Sequence, residues 1–274
     1  MIRSLFTAAV IVSVSAVTAM AGTTTAHVPE PCQVLGEKGS ILCAGLVEHF
    51  DLTEASDSPR FGSYTSVLQE APGQNVAQEA LDLRAWFDGS TSKWLWANVP
   101  APGSAFSIAF RIRPNLLGSS GQKQSVISWD NQNFKGPDIY FENNAGTGRM
   151  CLKVYEAEAA NTARTACTSS TTLAEHFIVV GASHFHDGKA EIWISQDGGP
   201  RTTTTVTYWL HGGPRYMRVA GRPYTGPGDA SDQPLTAYLS DLDFYIRPLS
   251  DAEIALLYNG SPIPHARAYP YDTN

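Results

Sequence analysis

Phe106-Ser107-Ile108-Ala109-Phe110-Arg111-Ile112 alternates large apolar residues with small or polar ones along its whole length. A period of two belongs to a strand with one buried face, so Phe106, Ile108, Phe110 and Ile112 point into a core. Working outward, the pattern returns at Ile139/Phe141, Leu152/Val154, Ile192/Ile194, Val206/Tyr208/Leu210 and Leu242/Phe244/Ile246. Turn-forming pairs separate the runs: Asp88-Gly89, Asp187-Gly188, Asp197-Gly198-Gly199 and Asn259-Gly260. Many short strands, each buried on one face, predict an all-β fold of two antiparallel sheets packed as a sandwich. A single helix is expected, where the capping box Ser250-Asp251-Ala252-Glu253 precedes Ile254, Leu256 and Leu257. It should pack on one rim of the sandwich.

The N-terminus reads as an export signal. Arg3 precedes an apolar stretch from Leu5 to Met20, and Ala19-Met20-Ala21 offers the small residues of a cleavage site. The expected division is a signal peptide over 1–21, a disulfide-tied arm over 22–44, one β domain over 45–260 and a Pro-rich tail over 261–274. The product is expected outside the cytoplasm, secreted, periplasmic or at the cell surface, with no membrane span after cleavage. The 19 basic residues are outnumbered by 26 acidic ones and form no cluster, which argues against nucleic acid as a partner.

Four cysteines in an exported chain should form two disulfides. Cys32 and Cys43 flank a short Gly-containing loop. Cys151 and Cys167 lie equidistant from Ala159 in two strand-like runs, so a hairpin would set them opposite each other. Neither pair is a C-x-x-C, and no Cys or His falls at zinc-ligand spacing, so these are read as structural staples.

Several segments carry a family resemblance. Gly45–Ser56 is similar to the opening strand of the concanavalin A-like, laminin-G-type (LamG-like) jelly-roll domain of secreted bacterial and phage-associated proteins. Ala85-Trp-Phe-Asp-Gly-Ser90 resembles its FDGS turn, Phe106–Pro114 a middle strand, and His184–Gly188 with Ala190–Ser195 a later hairpin. Leu239–Ile254 followed by Leu257-Tyr-Asn-Gly260 resembles its closing segment. The resemblance implies a two-sheet jelly roll, often one that binds glycans or surface proteins. It also implies a structural Ca²⁺ held by Asp243 and the carbonyl of Gly89. This fold carries hydrolases, lyases and structural modules as well, so sites must be argued separately.

Signs of catalysis are sparse. Glu48, Asp51 and Glu54 are spaced i, i+3, i+6 and do not share a strand face, which paired-carboxylate glycan cleavage requires. His184, His186 and Asp187 read as a polar strand end entering a turn, and Ser195–Thr202 as a hairpin. The alternation turns Arg111, Arg113, Tyr140, Glu142, Lys153, Tyr155, Trp193, Tyr216, Arg218, Tyr245 and Arg247 to outer sheet faces. Trp94, Trp96 and Trp86 read as core, Trp129 and Tyr224 as rim positions. Aromatic rings among Arg and Glu suit sugar stacking, so Trp193, Arg111, Tyr140, Arg218, Trp129 and Tyr224 are the expected ligand contacts. Binding of a polysaccharide, cell-surface glycan or surface protein is favoured over catalysis. The alternatives are an assembly subunit of an extracellular layer, filament or particle, and a polysaccharide hydrolase or lyase.

Overall fold

The computed structural model describes residues 46–50, 69–70, 77–79, 84–92, 94–97, 99, 102–103, 105–130, 135–156, 162–184, 188–207, 216–222 and 232–260. The signal, the arm with Cys32 and Cys43, Tyr224 and the tail lie outside the described residues.

The strands are β1 (Leu46–Phe50), β2 (Gln69–Glu70), β3 (Ala77–Glu79), β4 (Arg84–Asp88), β5 (Leu95–Ala97), β6 (Phe106–Pro114), β7 (Lys123–Ser128) and β8 (Asp138–Asn144). They continue with β9 (Thr147–Tyr155), β10 (Ala163–Cys167), β11 (His176–His184), β12 (Lys189–Gln196), β13 (Thr202–Thr207), β14 (Met217–Val219) and β15 (Thr236–Tyr245). Helix α1 (Asp251–Gly260) follows. One sheet runs β13-β12-β11-β6-β15-β4-β3, with β1 also on β15; the other runs β10-β9-β8-β7-β14-β5-β2. Every pairing is antiparallel. This is the expected two-sheet sandwich. Among the described residues no helix is long and apolar enough to cross a membrane.

The inner faces meet as the alternation requires: Phe106, Ile108, Phe110 and Ile112 pack with Ile178, Val180, Ile192, Ile194, Leu242 and Phe244 against Ile139, Phe141, Leu152 and Val154 of the other sheet. Burying such side chains is the main term favouring the fold, at roughly 1.5–3 kcal/mol for each large one. Cys151 and Cys167 are direct cross-strand partners joined by a disulfide.

A second apolar cluster lies on the outside of the first sheet. Ala109, Phe177, Val179, Trp193 and Tyr245 face away from the sandwich and are covered by Leu249, Ile254 and Leu257. Two devices aim the helix there. Ser107 Oγ donates to Arg247 O at 3.0 Å and accepts from Leu249 N–H at 2.8 Å, tying the post-β15 segment to β6. The capping box then closes reciprocally: Glu253 N–H donates to Ser250 Oγ, and Ser250 N–H to Glu253 Oε2. Gly181 makes room for the large ring beneath, since a Cβ there would sit 2.3 Å from Trp193 Cζ2 and 2.6 Å from Phe106 O.

Gly181→Ala is therefore expected to lower stability by about 1–3 kcal/mol, read as a drop in the urea midpoint at unchanged slope. Glu253 supplies a pH signature. Burial opposes its ionisation, but Arg247 and the Ser250 backbone and hydroxyl outweigh it and hold its pKa at about 2. A depressed carboxylate stabilises the fold fully above its unfolded value, near ~4.3, and loses that contribution as pH falls toward 2. Glu253→Gln should flatten the stability profile in that window, and an unchanged profile would contradict the assignment.

Candidate functional site

A part-exposed aromatic row on the outer face of the first sheet comes from strand register. Trp86 of β4 and Tyr238 of β15 are direct cross-strand partners, and Tyr238 is in turn opposite Arg113 of β6. The two rings lie 4.5 Å apart, and the Arg113 guanidinium sits 5.4 Å over the Tyr238 ring. Both aromatics are half-buried and Arg113 is exposed. Their neighbours Ala85, Phe87, Ala237 and Leu239 point into the core, so parity turns the row outward. The row lies on the same outer face as α1, towards the other end of β15.

The expected ligand contacts do not converge. Trp193 is fully buried beneath α1, with the Arg201 guanidinium 4.1 Å from its ring, and offers no face to a sugar. Arg111 is buried on that same sheet, over Phe177 at 5.2 Å and 4.0 Å from Asp241. Tyr140 and Arg218 belong to the opposite sheet. Tyr140 is buried beneath Lys123, and burial pushes its hydroxyl pKa well up. Arg218 is fully buried against Trp94 at 3.8 Å. Trp129 lies inside the sandwich, donating from Nε1 to Val99 O at 2.8 Å and meeting Phe244 edge-on. Trp94 is buried as expected, but against Arg218 and not in the cluster between the sheets, where Leu95 and Ala97 stand; Trp96 is half-buried.

The Ca²⁺ ligand set is not assembled either. Gly89 N–H donates to Leu235 O at the start of β15. Asp243 lies near the other end of that strand, opposite Ala109. At ~3.3 Å per residue the positions from Leu235 to Asp243 separate the two by roughly 25 Å, so they do not share an ion. Glu142, Cys151 and Cys167 come together, but both sulfurs are in the disulfide and offer no thiolate.

The outer face of the second sheet carries a buried ion network. Lys153 Nζ lies 2.7 Å from Asp130 Oδ2 and 3.2 Å from Asp138 Oδ2, and both carboxylates are fully buried. Ser125 Oγ donates to Asp138 at 2.6 Å, and the Tyr155 hydroxyl to Asp130 at 3.2 Å. Arg222 bridges Asp130 and Asp232. Burial works against the Lys153 charge, but Asp138 and Asp130 outweigh it and raise its pKa, keeping it an ammonium.

No family model matches the chain, and no curated protein sequence does. Solved structures do. The chain is similar to the receptor-binding domain of botulinum neurotoxin C/D mosaic serotype at 11% identity and TM-score 0.58, over 80% of this chain and 52% of that one. It is similar to the botulinum neurotoxin serotype D ligand-binding domain in complex with N-acetylneuraminic acid at 10% identity and TM-score 0.59, with the same coverage. The type G receptor-binding domain matches at 10% identity and TM-score 0.56, over 79% of this chain and 51% of that one. The likeness is one of fold. The chain spans about half the length of the chains it matches.

Lys153→Met should leave two buried carboxylates without their shared cation. The expected loss is about 3–5 kcal/mol, measured by denaturant unfolding at neutral pH. A change below 1 kcal/mol would mean that water or another cation reaches Asp130 and Asp138.

Proposed function

We propose that this chain is an exported, LamG-like glycan-binding module that uses the Trp86–Tyr238–Arg113 row as its recognition surface. One observation carries the reading: two half-exposed rings 4.5 Å apart on paired strands, flanked by an exposed guanidinium. Sugar rings present C–H faces that stack on aromatics and hydroxyls that accept hydrogen bonds from arginine. Strands hold such a platform in place before the ligand arrives, so little entropy is lost on binding. The fold-level likeness to receptor-binding domains, one solved with N-acetylneuraminic acid, supports the reading without transferring any residue of theirs.

Export is supported by Arg3, the apolar stretch to Met20 and the Ala19-Met20-Ala21 site. The Cys151–Cys167 disulfide suits an oxidising compartment. The partner is a polysaccharide or a cell-surface glycan. Binding is preferred to glycosidic cleavage because Asp130 and Asp138 are both committed to Lys153.

A glycan array probed with the exported protein should show binding that Trp86→Ala weakens about tenfold or more, at an unchanged unfolding midpoint. Undiminished binding by Trp86→Ala would remove this face from the reading. No binding at all, together with ordered self-association, would favour the assembly-subunit alternative.

A further inference from the structure

At the rim of the sandwich, where the segment after β10 enters β11, three side chains form a relay that glycan stacking does not use. Asp197 Oδ2 lies 2.7 Å from His176 Nδ1, and His176 Nε2 lies 2.9 Å from Thr172 Oγ1. The acid is held by its backbone. Asp197 N–H donates to Phe177 O at 2.7 Å, and its Oδ1 accepts Phe177 N–H at 2.9 Å. Asp197 also adopts φ +55°, the left-handed conformation of the turn after β12. His176 is 8% exposed, whereas Thr172 is open to solvent.

The chain on the N-terminal side of Thr172 is anchored by hydrogen bonds. Thr171, its chain neighbour, donates from N–H to Gly148 O at 2.7 Å and from Oγ1 to Gln196 Oε1 at 2.7 Å. Thr168 Oγ1 and Thr171 Oγ1 are 2.8 Å apart, and Thr168 N–H donates to Met150 O. Ala174 N–H donates to Thr172 Oγ1 at 3.2 Å. A carboxylate only accepts, so Asp197 places the proton of a neutral imidazole on Nδ1 and leaves the Nε2 lone pair facing Thr172. The Thr172 O–H then donates to Nε2. This is the order acid, imidazole, hydroxyl that nucleophilic acyl transfer requires, at hydrogen-bond distance throughout.

We propose that Thr172, His176 and Asp197 form an acyl-transfer site that takes carboxylic esters. Thr172 Oγ1 attacks the ester carbonyl carbon as its proton passes to His176 Nε2. The tetrahedral adduct collapses, the C–O bond to the alcohol breaks, and Nε2 returns the proton to the departing alkoxide. Thr172 is left as an ester. Water, deprotonated by the same nitrogen, then adds to that ester, releasing the carboxylic acid and restoring the hydroxyl. Ala174 N–H fixes the orientation of the Thr172 hydroxyl. Leu173, 46% exposed beside Thr172, offers apolar surface to the acyl group. Asp197 touches only the imidazole and the backbone and is a positioning residue.

The test uses p-nitrophenyl acetate as an activated ester and a fluorophosphonate as a trapping probe, on the full chain. Wild type should release a burst of p-nitrophenolate and carry one acetyl or phosphonyl group on the peptide containing Thr172. Thr172→Ala should lose burst and adduct at an unchanged unfolding midpoint, because the residue is exposed. Thr172→Ser should retain both. His176→Gln should slow acylation by about 100-fold or more. Absence of any adduct at Thr172, or an equal burst from Thr172→Ala, overturns the proposal. The glycan array reads a different face, so neither result depends on the other.

Discussion

Strand β15 contains one residue too many. Its partner β6 pairs Ser240 with Arg111 and then Leu242 with Phe110, so Asp241 is a bulge, held at φ +48°. Before it, Ala237 and Leu239 face the core and Tyr238 faces out. After it, Leu242 and Phe244 face the core and Tyr245 faces out. An unbulged strand of the same composition would turn either Leu239 or Leu242 into the wrong layer. The reset lets one strand contribute to both apolar clusters and still present an aromatic to each end of the outer face. Tyr238 joins Trp86 and Arg113, while Tyr245 lies under α1. The open row and the covered patch therefore depend on the same irregularity.

Alternation in the sequence carries the sandwich because a strand with one buried face states its parity directly. Phe106–Ile112, Ile139/Phe141, Leu152/Val154 and Ile192/Ile194 all lie as that rule places them. The Cys151–Cys167 pair and the Ser250 capping box are local and were equally legible. Parity distinguishes inner from outer, but it is silent on whether an outer face meets water or a third layer. Trp193 has the correct parity and is nonetheless inaccessible, because α1 docks on its face. The docking depends on Ser107 reaching Arg247 and Leu249, a contact across some 140 positions of chain that no local pattern announces. Trp129 fails for another reason. A register shift between Ser125 and Ile127 changes the parity of β7, so Val126 and Ile127 are both buried and Trp129 follows them inward.

Grouping aromatics by nearness in the chain misleads where parity would not. Trp94 and Trp96 read as core because they share a strand face with Trp86 nearby, yet Leu95 and Ala97 occupy the positions between the sheets and Trp94 is buried against Arg218 instead. The same reasoning hid Trp86, whose small neighbour Ala85 and large neighbour Phe87 both point inward. The relay of Thr172, His176 and Asp197 had no sequence signal beyond a turn. Its members come together only because β11 and β12 pair with His176 near the hairpin's open end, beside the turn that carries Asp197.

The ion network on the second sheet bears on how rigid these surfaces are. Well-packed apolar residues would often stabilise such a position as well as buried charges do, so the network is weak evidence of extra stability. What it fixes is geometry. Asp130 follows β7, Asp138 begins β8, Lys153 lies in β9, Arg222 follows β14 and Asp232 precedes β15, and each is joined to another by a directional contact. Hydrophobic contacts tolerate sliding, whereas an ammonium shared by Asp130 and Asp138 and a guanidinium bridging Asp130 to Asp232 do not. Four strands are thereby registered against the segment that leads into β15. That segment sets where β15 begins, and with it which residues stand on either side of the Asp241 bulge.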